Sequence, residues 1–143
     1  MKILIVDDEL VSRKKMEKIL QHYGACQCVD SGTAAIKAYT EALLSEERFG
    51  LITLDVSMPD MGGPEVLAMI RSVERKNAIP RKERAKVLMV TAHSEQTTVM
   101  ASIEAGCDDY IKKPFTPLRV IQKLERMGVD TSRLDVSAVL KAD

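Results

Sequence analysis

Apolar residues fall into two rhythms along this chain. Short unbroken runs alternate with longer stretches in which apolar positions return every third or fourth residue. Lys2 to Val6 (KILIV) is the first short run. Leu10 to Tyr23 follows with Val11, Met16, Ile19, Leu20 and Tyr23 at helical spacing, closed by Gly24. Ala25 to Val29 reads as a second strand. A second helix starts behind the N-cap candidate Ser31 and runs to about Glu46. Leu51 to Leu54 is a third strand, and Pro64 to Lys76 a helix with Val66, Leu67, Met69 and Ile70 inward. Val87 to Val90 is a fourth strand, and Glu95 to Ala105 a helix stopped by Gly106. Tyr110 and Ile111 form a short fifth strand. Thr116 to Met127 is the last helix, with Pro117 in its first turn and Gly128 behind it.

Five strands alternating with five helices predict an α/β fold built on a doubly wound parallel sheet. Strands 1, 3 and 4 are continuously apolar, as expected of strands covered on both faces. Ligands in such sheets sit beyond the carboxyl ends of the strands. Those ends carry the chemistry.

Strand 1 ends in Asp7, Asp8 and Glu9, and strand 3 in Asp55. Strand 4 ends in Thr91 and Ala92, and strand 5 runs into Lys112, Lys113 and Pro114. A lone acid at a strand end is commonly a helix N-cap or a solvated turn residue. Here three carboxylates converge on one edge, where each raises its neighbours' pKa unless a cation holds them. Oxygen ligands without His or Cys suit a hard ion, Mg²⁺ before Zn²⁺. A Lys and a Thr hydroxyl opposite them suit an anion, most naturally a phosphoryl group. Asp55 then ends its strand as a nucleophile that accepts phosphate.

Composition narrows the alternatives. The 143 residues fit one domain, and 45% are hydrophobic. Aromatics are 3% with no Trp, which argues against stacking platforms for bases or sugars. Lys plus Arg and Asp plus Glu are 21 each, so no basic excess favours nucleic acid. No stretch is long and apolar enough for a membrane span, and the N-terminus opens on strand-like residues rather than an export signal. Cys26, Cys28 and Cys107 lack a disulfide pattern. They read as reduced core thiols of a cytoplasmic protein, with a metal-binding Cys26–Cys28 pair as the alternative.

Four segments carry a resemblance: ILIVDDE near the start, D-x-x-M-P from Asp55 to Pro59 followed by Gly62-Gly63, VTA from Val90 to Ala92, and K-P-F from Lys113 to Phe115. In this order, each at a strand end, they resemble the receiver domain of two-component response regulators, the family of the chemotaxis response regulator. The resemblance covers Met1 to Gly128 and implies the flavodoxin-like strand order 2-1-3-4-5. It implies that Asp55 is phosphorylated by a histidine kinase or a phosphotransfer protein. It implies Mg²⁺ bound by Asp7, Asp8 (one of them through water), Asp55 and the Ser57 backbone carbonyl. Thr91 matches the hydroxyl that moves to the phosphoryl group, and Lys113 the lysine that pairs with it. Lys112 is then a solvated neighbour. Pro114 resembles the family's cis proline, and Tyr110 the aromatic that switches between exposed and buried positions. The implied output surface is the fourth helix, fifth strand and last helix. Ser57 and His93 flank the implied path of the hydrolytic water. Small Ser57 implies slow hydrolysis, while His93 obstructs the water, orients it, or merely faces solvent.

The chain also departs from the common pattern. The interval from Asp55 to Thr91 is long, and the extra length lies in Arg71 to Lys86, with seven basic residues and two acids. It reads as a solvated loop after the third helix, or as a docking patch for an acidic partner. The second helix looks long. The tail, 129–143, carries Leu134, Val136, Val139 and Leu140, could form a short helix, and is too short for an output domain. Rival classes fit poorly. A haloacid-dehalogenase-type phosphatase carries D-x-D on strand 1, which Asp7-Asp8-Glu9 lacks. Flavodoxin needs a phosphate-cradling loop after strand 1, and a dinucleotide-binding domain needs G-x-G-x-x-G. A pseudo-receiver, an interaction module without phosphorylation, is the alternative that keeps the fold.

Overall fold

A computed structural model describes residues 1–92 and 96–131. Five strands, β1 (Lys2–Val6), β2 (Ala25–Val29), β3 (Phe49–Asp55), β4 (Lys86–Thr91) and β5 (Asp109–Lys112), form one sheet in the order β2-β1-β3-β4-β5. Every pairing is parallel. The helices are α1 (Leu10–Leu20), α2 (Gly32–Leu44), α3 (Gly63–Lys76), α4 (Gln96–Ala105) and α5 (Pro117–Arg126), with a short 3₁₀ turn at Arg81–Glu83. The fold class and order expected from the sequence are those observed.

The sheet is covered on both faces, and alternation along each strand divides the core in two. Leu4 and Val6, Ile52 and Leu54, and Val87 and Met89 point to the layer of α2 and α3, meeting Tyr39, Val66, Leu67 and Ile70. Ile3 and Ile5, Leu51, and Leu88 and Val90 point the other way, meeting Ile19 and Leu20 of α1 and Val120, Ile121 and Leu124 of α5. The unbroken apolar runs are thus two alternating faces, each buried. The edge strand β2 is only partly covered. Cys26 and Cys28 are half-buried there rather than deep in the core. Burial, with Glu17 nearby, pushes their thiols up to about 11 and about 12, so both are protonated at neutral pH.

Several boundaries move for physical reasons. β3 begins at Phe49, which is buried, because Gly50 interrupts the apolar signal without interrupting the strand. α1 and α2 stop at Leu20 and Leu44, earlier than periodicity predicts. Ser31 does cap α2, its Oγ accepting from the Ala34 N–H at 3.1 Å. Met69 is 42% exposed, not inward, because the α3 stripe through Val66, Leu67 and Ile70 leaves it on the flank. Val11 is 80% exposed for the same reason on α1. Gly106 and Gly128 follow α4 and α5 with positive φ, as their stop role requires. Glu95 and the hydrophobic tail positions from Leu134 to Leu140 lie outside the described residues.

In the segment from Arg71 to Lys86, the residues just after α3, 77–83, are mostly exposed, in line with a solvated loop. The first part of the segment completes α3, and Arg71 and Glu74 are buried. Arg71 donates through Nε to the Gly106 carbonyl (3.1 Å) and through Nη1 to Glu74 Oε1 and the Ala85 carbonyl (both 2.8 Å). Its Nη2 reaches Asp108 Oδ2 at 3.1 Å. Glu74 Oε2 accepts from the Ala85 N–H at 3.0 Å, and Asp108 Oδ2 from the Val87 N–H at 2.7 Å. Burial and Glu74 together raise the Tyr39 hydroxyl pKa. The network ties α3, the start of β4 and the turn before β5 at the amino end of the sheet. Removing one partner of a buried pair strands the other, so Glu74→Ala should cost about 3 kcal/mol or more in a urea unfolding titration. A loss below about 1 kcal/mol would mean that the remaining acceptors suffice for Arg71.

Candidate functional site

Parallel pairing brings the strand carboxyl ends to one edge. Val6 lies beside Leu54, Asp55 beside Val90, and Thr91 beside Lys112. The residues after β1, at the end of β3 and after β5 are therefore neighbours although they are far apart in sequence. Asp7 and Asp55 are buried and Asp8 is exposed. One carboxylate oxygen from each of the three lies within 4.8 Å of the others. Among the described residues this is the only group of three or more side chains able to hold a metal ion.

One cation faces this cluster. Lys113 Nζ lies 3.0 Å from Asp7 Oδ2, 3.6 Å from Asp55 Oδ2 and 2.7 Å from Glu9 Oε1. The Lys113–Pro114 peptide is cis, as the K-P-F motif suggested, and the Lys113 N–H donates to the Thr91 carbonyl at 2.7 Å. β4 and β5 are thereby joined at the point where both meet the site. Glu9 was not among the residues singled out for the site. Its side chain is exposed, and the proximity comes from the reach of Lys113.

The electrostatics follow from crowding. Burial, a hydrogen bond with Asp8 and the charge of Asp7 push the Asp55 carboxyl up to about 7, against the opposing pull of Lys113 and the Ser57 N–H. Burial pulls the Lys113 ammonium down, but hydrogen bonds to Glu9 and Asp7 and the nearby Asp55 and Asp7 charges raise it on balance. One ammonium does not neutralise three acids. An all-oxygen cluster with a carboxylate this poorly stabilised fits a hard divalent cation, so the donor set accommodates Mg²⁺.

The walls of the site are built by backbone. The Val56 N–H donates to the Val90 carbonyl (2.9 Å) and the Gly63 N–H to the Val56 carbonyl (2.8 Å), bending the chain away from the sheet after Asp55. Gly63 is glycine because a Cβ there would lie 2.5 Å from the Asp55 carbonyl oxygen and 2.8 Å from Met89 Cε. Ser57 is exposed, and its N–H reaches Asp55 Oδ1 at 3.4 Å. Asp60, in the bend after β3, binds the start of α2. It accepts from the Gly32 and Thr33 N–H groups (3.2 and 2.9 Å) and from Thr33 Oγ1 (2.7 Å). These bonds hold its carboxyl down at about 2. The signal was an acid at a distance from a Ser-Gly-Thr helix start, which no local pattern connects.

Thr91 is buried at the end of β4. Tyr110 is 39% exposed on β5, with Lys123 Nζ 5.1 Å from its ring centre and 3.2 Å from Asp109 Oδ1. Lys112 is exposed and makes none of the contacts of Lys113. His93 lies outside the described residues.

Residues 3–125 match the family profile described as "Response regulator receiver domain". The chain is 33% identical to the chemotaxis protein CheY of Listeria monocytogenes over 128 residues, 88% of this chain and 97% of that one. It is likewise 33% identical to CheY of Pseudomonas aeruginosa over 129 residues, 89% and 95% of the two chains. Among solved structures, the receiver domain of the Arabidopsis thaliana histidine kinase CKI1, complexed with Mg²⁺ and BeF₃⁻, superposes with a TM-score of 0.75 at 29% identity, covering 87% of this chain and 89% of that one. With a profile match over most of its length and relatives covered nearly end to end, the chain belongs to the response regulator receiver domain family.

Proposed function

We propose that this chain is a phosphorylation-activated switch of a two-component phosphorelay, with Asp55 as the phosphoryl acceptor. The observation that carries this reading is the convergence of Asp7, Asp8 and Asp55 within 4.8 Å at the sheet edge, faced by Lys113. The donor is a phosphohistidine on a sensor kinase or a His phosphotransfer protein. The switch unit is 1–128, and 129–143 is a tail.

The chemistry divides among named residues. An Asp55 oxygen attacks phosphorus in line, the histidine N–P bond breaks as the new O–P bond forms, and the imidazole leaves as a neutral base. Lys113 stands beside the nucleophile and offsets charge on the phosphoryl oxygens. Asp7 and Asp8, with Asp55 and the Ser57 carbonyl, would hold Mg²⁺, which would supply the positive charge that lets two anions meet. The fit of the fold to a receiver solved with Mg²⁺ and BeF₃⁻ supports that assignment. Thr91 contacts the phosphoryl group once it is present. The domain thus promotes only its own phosphorylation and dephosphorylation.

The output follows from the same two residues, Lys113 and Thr91. Lys113 and Thr91 are linked through backbone, so drawing both toward a phosphoryl group shifts β5 and Tyr110. Met100 and Ile103 of α4, Tyr110 of β5 and Leu118 of α5 are all exposed large hydrophobics. They give this face the apolar anchors that a partner protein needs. Among the described residues no helix is long and apolar enough to cross a membrane.

Incubation with acetyl phosphate and Mg²⁺ should add one hydroxylamine-labile phosphate, read by intact mass, and Asp55→Asn should abolish it. An unmodified wild-type mass would favour the interaction module instead.

In the phosphorylated protein, Lys113→Ala should leave the NMR shifts around Tyr110 close to the unphosphorylated pattern. Shifts equal to those of phosphorylated wild type would break the link between Lys113 and the output face.

Without divalent ions, Asp55 titrates near 7 when folded against an ordinary 3.8. The folded chain keeps a proton that the unfolded chain has lost. That stability is complete below about pH 4 and disappears as pH rises through about 7. Wild type should therefore lose Tm across this window relative to Asp55→Asn, by roughly 3 °C or more for a chain of this size. Mg²⁺ at pH 8 should restore it. Parallel pH profiles for the two proteins would refute the raised carboxyl.

A further inference from the structure

A second charged site lies at the opposite end of the sheet. The cavity there has a volume of about 370 Å³. Its lining joins the end of α3, the 3₁₀ turn, the start of β4 and the turn after α4. Five cations, Arg71, Arg75, Arg81, Arg84 and Lys86, line it with two carboxylates, Glu104 and Asp108, and Arg71 is also paired with buried Glu74, so the uncompensated charge lies mainly on the other four. No aromatic side chain lines it. The long interval between Asp55 and Thr91 supplies much of this wall, and the cavity opens to solvent on its other side.

The cations are not equivalent. Arg71 forms the floor and is fixed. Its bonds to Gly106, Glu74, Ala85 and Asp108 take four of its five N–H donors, leaving one on Nη2. Arg84 is held by Nε on the Ile79 carbonyl (3.1 Å), which leaves its terminal Nη groups to turn elsewhere. Arg75 and Arg81 are exposed at the rim. Asp108 is already shared between Arg71 and the Val87 N–H, so it offsets little of the remaining charge.

We propose that this cavity binds a compact polyanion, a di- or triphosphate group. Four of the five cations are Arg, whose planar fork matches phosphate oxygens in pairs, whereas Lys acts as a point charge. The cavity lies within the usual range for small-ligand sites. The lack of aromatic walls means that no base or sugar platform completes it, so the phosphate chain itself carries recognition. An acidic segment of a protein would meet the same charge, but a concave site with a fixed buried guanidinium at its base favours a small ligand over an extended strand. The inference does not depend on Asp55 and places the ligand at the other end of the sheet.

The test is calorimetric titration of the full chain with sodium pyrophosphate and sodium triphosphate, without Mg²⁺ and at matched ionic strength. Saturable one-to-one binding is expected, together with a shift of the Arg71 Nε–H resonance. Arg75→Gln/Arg81→Gln should weaken it at least about tenfold, since each lost charged hydrogen bond is worth on that order. Arg75→Lys/Arg81→Lys should recover only part of the loss. Neither rim residue is buried, so both variants should fold, and unchanged phosphorylation of Asp55 would verify it. ATP binding as tightly as triphosphate would assign recognition to the phosphates, and tighter binding of ATP would overturn the claim that the phosphate chain alone is recognised. Absence of saturation, or equal affinity in the Gln variant, would overturn the proposal. Equal affinity in the Lys variant would reduce the site to general attraction and overturn it as a built pocket. Tighter binding of a short polyglutamate peptide than of triphosphate would overturn it in favour of protein docking.

Discussion

Parallel pairing forces all five strands to finish on the same side, and at that side one lysine has to hold three acids. Lys113 Nζ lies within 3.6 Å of Asp55, Asp7 and Glu9 at once. Its backbone is tied to Thr91, and its peptide to Pro114 is cis. Remove the acids and the Lys113 side chain loses the charges it bridges, while its backbone stays tied to Thr91. Remove the lysine and the buried pair Asp7 and Asp55 lose their nearest positive charge. The site is thus an incomplete neutralisation, and the raised carboxyl of Asp55 measures how incomplete it is. A group that adds positive charge, or one that rearranges it, acts on a balance already poised.

Much of this could be read from residues in order. Asp55 ends an apolar run, and a lone acid there could be a cap or a turn residue; its meaning came from the acids and the lysine at the other strand ends. Asp7, Asp8, Thr91 and Lys113 stand at equivalent ends, and a parallel sheet leaves such ends no choice but to meet. Strand order came through a family resemblance, because alternation of strands and helices alone does not say which neighbour each strand takes.

The residues that escaped reading share one property: their meaning lies in a distant partner. Arg71 looks like a surface cation in a basic stretch. It is buried because Glu74, Asp108 and two carbonyls converge on it, and Asp108 is 37 positions away. Asp60 looks like a turn acid, yet it caps a helix that precedes it in sequence by 27 positions. Met69 looks inward because its neighbours are, and only the exact angle of the α3 stripe puts it outside. Local periodicity registers which faces are apolar. It does not register which polar groups have found each other through space.

The Arg71 network gives the sheet a mechanical asymmetry. Hydrogen bonds to Ala85, Gly106 and Asp108 clamp the roots of β4 and β5 to α3, while the tips carry the groups whose charge can change. Along β4, from Lys86 to Thr91, the chain rises about 16 Å at the usual spacing of a parallel strand. β4 is paired along its length, to β3 from Lys86 to Val90 and to β5 from Leu88 to Thr91, so the tip is bonded to its neighbours but lacks the extra side-chain clamp that holds the root. Tyr110, next to Asp109 on β5, is the exposed aromatic nearest the edge at which the tips lie, and the route proposed for the signal runs through it.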